Sequence, residues 1–112
     1  MVQIYWHKRN FDTQKAERWF KERRIPYQSM DLKKHRLGEK EVALFARTLT
    51  ARGLLDLEDI KVKSHPAAYT NQPDNILGYI LEDPRLLRSP IIRNGSKVMA
   101  GFDETLLQEL LQ

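Results

Sequence analysis

The chain has 112 residues, a net charge of +4 and no cysteine. That length suits one domain built around one contiguous core. Without cysteine, the chain's own side chains supply no disulfide, thiolate nucleophile, Cys-ligated zinc or iron–sulfur cluster. The basic residues alternate with acids, as in Lys15-Ala16-Glu17-Arg18 and Lys21-Glu22-Arg23-Arg24. This reads as a solvated helix face rather than a nucleic-acid patch. No apolar run approaches the ~18–20 residues that span a bilayer. The start, Met1-Val2-Gln3-Ile4-Tyr5-Trp6-His7-Lys8, lacks a basic segment followed by an apolar stretch. The expectation is a soluble cytoplasmic protein.

Val2 to Trp6 is β-branched and aromatic, and reads as a strand. His7-Lys8-Arg9-Asn10 follows as a polar turn. Asn10 is a candidate N-cap, its side-chain oxygen able to accept a first-turn N–H, and Asp12 is another. From Phe11 or Thr13 to Arg24 the spacing is helical, with Ala16, Trp19, Phe20 and Arg23 on one stripe. Ile25-Pro26 ends it, because the residue before a proline is pushed out of the α region.

Tyr27 to Leu32 alternates as a second strand, and Lys33 to Gly38 is a charged connection. Helical spacing returns from Glu39 to Arg52 through Val42, Phe45, Ala46 and Leu49, with Gly53 as its stop. A short helix is expected over Leu55 to Ile60. Lys61 to Gln72 is polar and takes no clear pattern. Pro73 suits the first turn of a helix that runs to Glu82 through Ile76, Leu77, Ile80 and Leu81.

Pro90 to Arg93 and Lys97 to Ala100 read as strands around Asn94-Gly95, a hairpin signal in which both residues tolerate positive φ. Asp103 caps a last helix with Leu106, Leu107, Leu110 and Leu111 on its apolar face. The order is β-α-β, then helices, then β-β-α, an α/β chain with a helical insert over about residues 38–84.

Two segments carry a family resemblance. Ile4-Tyr5-Trp6-His7-Lys8-Arg9-Asn10-Phe11-Asp12-Thr13-Gln14-Lys15-Ala16 resembles the active-site segment of the arsenate reductase/Spx (ArsC-like) family. Leu86-Leu87-Arg88-Ser89-Pro90-Ile91-Ile92, with Val98-Met99-Ala100-Gly101-Phe102, resembles that family's later "LLxRPI…VGF/Y" pattern. Ile25-Pro26-Tyr27 and Asp31-Leu32 extend the likeness along essentially the whole chain, residues 1–112. The resemblance implies a thioredoxin-like fold with a four-stranded mixed sheet. It also implies a reactive cysteine at the mouth of the first helix and a cis proline beside it, here Ser89-Pro90. A helix N-terminus suits that chemistry, since its unpaired N–H groups and dipole favour both a thiolate and an oxyanion.

The chain departs from the family at the reacting positions. Asn10 stands at the reactive cysteine, and Thr13 at the second cysteine of the Spx-type CxxC pair. Ser89 stands at the arginine before the proline, and Phe102 at another arginine of arsenate reductases. Asparagine is neither nucleophilic nor redox-active, so no catalytic residue is assigned and the arsenate reaction is expected to be absent.

The candidate ligand-binding residues are His7, Lys8, Arg9, Asn10, Lys63, Ser89 and Pro90. Asn10 reads either as a helix cap or as a contact for an anion or peptide, and His7 as an exposed loop residue. His35 and His65 have no metal-ligand spacing, so no metal is expected. Two functions follow from the resemblance. One is a divergent family member that binds a protein partner or small anion. Spx-type relatives contact RNA polymerase, and that enzyme is offered as a candidate partner by analogy alone. The other is a glutathione-binding protein, or a glutathione-dependent oxidoreductase or transferase using the borrowed thiol.

Overall fold

A computed structural model describes residues 1–112. Its sheet has four strands: β1 (Val2–Trp6), β2 (Tyr27–Asp31), β3 (Ile91–Asn94) and β4 (Lys97–Ala100), in the order β2-β1-β3-β4. β1 runs parallel to β2 and antiparallel to β3, and β3 is antiparallel to β4. The helices are α1 (Phe11–Glu22), α2 (Glu39–Leu49), α3 (Ile60–Lys63), α4 (Pro73–Glu82) and α5 (Glu104–Leu110).

Strand alternation divides the core between the two sheet faces. Val2, Ile4, Ile92 and Met99 pack with Ala16, Trp19 and Phe20 of α1 and Leu107 and Leu110 of α5. Tyr5, Ile91 and Val98 face the other way, onto Val42 and Phe45 of α2 and Ile76 and Ile80 of α4. The stripes expected in α1, α2 and α4 therefore meet the sheet. Arg23 ends its stripe by lying over the Trp19 ring, 4.2 Å from the centroid. Leu106 is the exception on α5, standing 43% exposed.

Several element ends differ from the sequence reading, each for a local reason. α1 stops at Glu22, before the Ile25-Pro26 signal, because Arg24 takes φ 55°. The Ile25 N–H then bonds Phe20 O and the Arg24 N–H bonds Lys21 O, the closing pattern usually made with glycine. α2 ends at Leu49 rather than at the expected glycine stop: Thr50 adopts φ 68°, and Gly53 donates its N–H to Thr50 Oγ1. The helix expected over Leu55 to Ile60 is displaced. A 3-10 turn occupies Arg52–Leu54, and α3 begins only at Ile60, capped by Asp59. The hairpin turn consists of Gly95 and Ser96, with positive φ at Gly95 alone. Asn94 stays in β3, and its side-chain amide donates to Leu110 O, tying the hairpin to α5.

One polar cluster fixes the connection from β2 to α2. The buried Tyr5 hydroxyl donates to Glu41 Oε2 at 2.9 Å, and His35 Nε2 lies 3.1 Å from the same oxygen. Gly38 N–H donates to Glu41 Oε1 at 3.0 Å. Burial acts to raise the Glu41 pKa, but Gly38, Tyr5 and His35 together hold it below the ordinary glutamate value. Burial, with the Glu41 carboxylate beside it, pushes the Tyr5 phenol up to about 12. A depressed folded-state carboxylate contributes stability above its unfolded pKa and loses it as pH falls through the folded value. Thermal melts of the wild type should therefore decline below about pH 4.3, the ordinary glutamate pKa. Glu41→Gln should flatten that part of the acid limb; an unchanged acid limb would show that Glu41 is not coupled to folding.

Candidate functional site

The β1–β3 register places Tyr5 opposite Ile91. The loop leaving β1 and the loop entering β3 thus emerge side by side at one end of the sheet. Asn10 caps α1 there, its Oδ1 accepting the Thr13 N–H at 2.9 Å. Of the two candidate caps, Asn10 takes the position and Asp12 falls in the first turn. The same Oδ1 accepts the Thr13 hydroxyl at 2.7 Å. At the other end of the side chain, Asn10 Nδ2 donates to Ser89 O at 2.7 Å. Ser89 Oγ in turn donates to Lys8 O at 3.0 Å. Thr13 and Ser89 are both buried, and the Ser89-Pro90 bond is cis. Three expected positions, Asn10, Thr13 and Ser89, therefore form one hydrogen-bonded knot joining the two loops.

Beside the knot lies a cleft of about 600 Å³. Its far wall is the segment from Arg52 to Asp59, anchored by an antiparallel bridge between Leu55 and Leu87. Arg88 N–H donates to Leu54 O at 2.8 Å and Asp56 N–H to Leu86 O at 3.0 Å. The lining includes the cations Lys8, Arg52 and Arg88, against the carboxylates Asp12, Asp56, Glu58 and Asp59. Within it, Lys8 Nζ reaches Asp56 Oδ2 at 3.2 Å and Asp59 Oδ2 at 3.9 Å. Arg52 donates to Ala68 O at 3.0 Å, while the Arg88 guanidinium makes no hydrogen bond or ion pair within the chain. Gly101, at φ 78°, forms part of the lining. A Cβ there would stand 3.6 Å from Asp12 Oδ2 and 3.7 Å from Arg88 Nη2, so glycine leaves the space between them open.

The other candidate residues scatter. Arg9 turns away from the cleft, pairing with buried Glu17 at 2.8 Å and lying 5.3 Å from the Trp6 ring centroid. Lys63 is exposed on α3 outside the cleft lining. Pro90 is buried, and its carbonyl accepts the Gly101 N–H at 2.9 Å. His7, expected as an exposed loop residue, is half-buried, with Nε2 2.9 Å from Leu87 O. A carbonyl can only accept, so Nε2 carries the proton. His7 instead lines a separate cavity of about 300 Å³ with His65 and Asp83. His65 Nδ1 accepts the Ala67 N–H, and His35 is engaged by Glu41.

Sequence reading missed Arg52, Arg88, Asp56, Glu58 and Asp59 as cleft residues. Arg88 is adjacent to Ser89 in the late motif and was open to inference from that. The acidic segment is more than forty residues from Asn10 in the chain, and tertiary contacts, the Leu55–Leu87 bridge with its flanking bonds and the Lys8 ion pairs, bring it to the site.

Two measurements follow from this geometry. Asn10→Ala removes the cap and the bond to Ser89 O together, and should cost about 1–2 kcal/mol in urea unfolding. Asn10→Asp keeps an acceptor for the Thr13 N–H but sets a carboxylate against Ser89 O, and should also destabilise. Wild-type stability in Asn10→Asp would mean that the Ser89 contact contributes nothing. For His7, burial pushes the imidazole below its ordinary value, against the opposing effect of its bond to Leu87 O. The unfolded state then binds the proton better, so His7 contributes stability that is lost as pH falls below about 6.5. An NMR titration of the His7 ring should show a midpoint below those of free imidazole side chains, and a midpoint at or above them would contradict the buried placement.

Known proteins supply the family. The sequence model of the ArsC family matches residues 51–110. The global transcriptional regulator Spx 2 of Oceanobacillus iheyensis is 27% identical over 103 residues, covering 88% of this chain and 76% of that protein. Among solved structures, the YFFB protein superposes over the full length of both chains with a TM-score of 0.86 at 16% identity. An arsenate reductase (ArsC) related protein from Brucella melitensis gives a TM-score of 0.73 at 22% identity, covering 99% of this chain and 94% of that one. These structural likenesses establish the thioredoxin-like fold, and the family match extends over more than half of the residues. The chain belongs to the ArsC family.

Proposed function

We propose that this ArsC-family chain works by binding a protein partner at the Asn10 cleft and performs no arsenate reduction. The observation that carries this reading is the Asn10 side chain itself. Both of its ends are engaged internally, by Thr13 and by Ser89 O, at the position where the family resemblance puts the nucleophile. A side chain so held links two loops and offers no electron pair to an incoming oxyanion.

The surroundings of the cleft suit a protein surface. Phe11, directly after Asn10, is 80% exposed, and Ile60, directly after Asp59, is 76% exposed. Tyr69 is 77% exposed and follows Ala68, whose carbonyl is held by Arg52. Large exposed apolar side chains, two of them adjacent in sequence to residues of a cleft with both charge signs, are features of docking faces. A relative named as a global transcriptional regulator fits a function exercised through macromolecular contact. A small inorganic anion fits less well, because four carboxylates line the cleft.

The second reading, a borrowed glutathione thiol, draws on one observation. The Arg88 guanidinium is unpaired and faces the cleft beside Ser89, where a peptide carboxylate would find a partner.

Purified RNA polymerase is the first partner to test, by analogy with Spx-type relatives. Binding to the immobilised chain should weaken by roughly tenfold or more on Phe11→Ala combined with Ile60→Ala, with melting unchanged because both side chains are exposed. Arsenate turnover should be absent with glutathione or a dithiol as reductant. Measurable turnover, or polymerase binding indifferent to both substitutions, would overturn the reading. Shifts at Asn10, Arg88 and Ser89 on adding millimolar glutathione would favour the second one.

A further inference from the structure

The geometry points to β4 as a self-association edge, through which two copies of this chain join their sheets into one. β4 is the last strand of the sheet, and its register leaves half of its backbone groups without a strand partner. In the two-residue hairpin Asn94 pairs with Lys97, Ile92 with Met99 and Pro90 with Gly101, the last pair marked by the Gly101 N–H to Pro90 O bond at 2.9 Å. Antiparallel pairs alternate between bonded and non-bonded. The N–H and C=O groups of Val98 and Ala100 therefore point outward, away from β3, and no loop or turn bonds them.

No strand pairs with this edge, although the side chains of Val98 and Met99 are themselves packed into the two cores. A cavity of about 450 Å³ runs along it, lined by Ser96 to Met99 of the hairpin, Thr48 of α2, and Leu106, Glu109 and Leu110 of α5. The cores under α2 and α5 lie on opposite faces of the sheet. A cavity touching both helices must therefore sit at the sheet's rim. The devices that usually protect an edge are missing: β4 has no proline, and its lysine is turned aside. Lys97 Nζ is held by the Gln112 and Glu109 carbonyls at the end of α5.

A second copy fits this edge better than another occupant, because the edge is complementary to itself. Val98 and Ala100, two residues apart, each present one donor and one acceptor. An antiparallel copy centred on Met99 would set Val98 against Ala100 of its partner in both directions, closing four backbone bonds around a two-fold axis. That axis is perpendicular to the sheet, so both α5 helices fall on the same face. The half-exposed Leu106 of each copy would then meet its symmetry mate over the apolar lining of the groove. The charges allow the approach. The chain as a whole carries +4, yet this groove is lined by one lysine and one glutamate and is formally neutral.

The test uses the full chain in sedimentation equilibrium, from micromolar to near-millimolar concentration, with amide hydrogen exchange at both ends of the range. The wild type should show a monomer–dimer equilibrium. Val98 and Ala100 amides should become protected only at high concentration, while Met99, bonded to β3, stays protected throughout. Leu106→Glu puts two carboxylates at the axis from an exposed position, and should weaken the dimer by roughly tenfold or more. Ala100→Pro removes one outward donor per copy at an edge position that tolerates proline, and should act in the same direction. A wild type that remains monomeric throughout overturns the inference. So does a dimer in which the Val98 and Ala100 amides exchange freely, or one that withstands Leu106→Glu with its fold intact by circular dichroism.

Discussion

The antiparallel pairing of β1 with β3 at the centre of the sheet determines where everything else can lie. Because Tyr5 stands opposite Ile91, the chain leaves β1 and enters β3 at the same sheet end. Residues nearly eighty positions apart are therefore within hydrogen-bond reach, as Asn10 and Ser89 O are at 2.7 Å. The parallel β1–β2 pair demands a crossover, and α1 supplies it with its N-terminus delivered to that same end. Shifting the β1–β3 register by one residue would put Ile4 and Tyr5 out of step with Ile92 and Ile91 and mix the residues of the two cores. The position of the cleft is thus a consequence of how the sheet is built.

At that end, a thiol and an amide differ in what the helix mouth can do for them. A cysteine at a helix mouth gains from the dipole because its working form is an anion. Asn10 has no charge to stabilise, so the same helix end is satisfied by an ordinary capping bond. The positive end of α1 also has an anion of its own chain nearby, since Asp12 in the first turn lines the cleft. Lys8 is neutralised by Asp56 and Asp59, and Arg9 by Glu17. Of the basic residues that the sequence places near the site, Arg88 alone keeps an unpaired guanidinium facing the cleft.

Most of the fold was legible in the sequence because it rests on short-range signals. Alternation in β1, helical stripes in α1, α2 and α4, and the Asn10 and Asp103 caps all act within a few residues, and the structure contains them. Helix ends were harder to place where non-glycine residues took positive φ: Arg24 and Thr50 carry no sequence mark of that conformation. The segment from Arg52 to Ala68 could not be read, since its short turns depend on the bridge to Leu87 and on side-chain caps from Asp59 and His65. The site divided along the same line. Asn10, Thr13 and Ser89 were found through the family motifs. The acidic wall was not, because its place is set by tertiary contact. Arg9, chosen for its charge beside Asn10, pairs with Glu17, and Lys63, chosen for its likeness to a family arginine, lies on α3 outside the cleft lining.

The Asn10 knot also bears on what a substitution at position 10 would cost. Its amide donates with one end and accepts with the other, and a thiol of similar size performs neither task well. Thr13 and Ser89 supply hydroxyls that complete the arrangement, so three positions now depend on one another. Restoring a cysteine alone at position 10 would recover a nucleophile while leaving the Thr13 N–H and Ser89 O without their buried partners. Each step back toward reactivity is therefore uphill in folding free energy unless the neighbours change with it. Coupling of this kind makes position 10 a shared one: a cysteine there keeps the fold's stability only when positions 13 and 89 change with it.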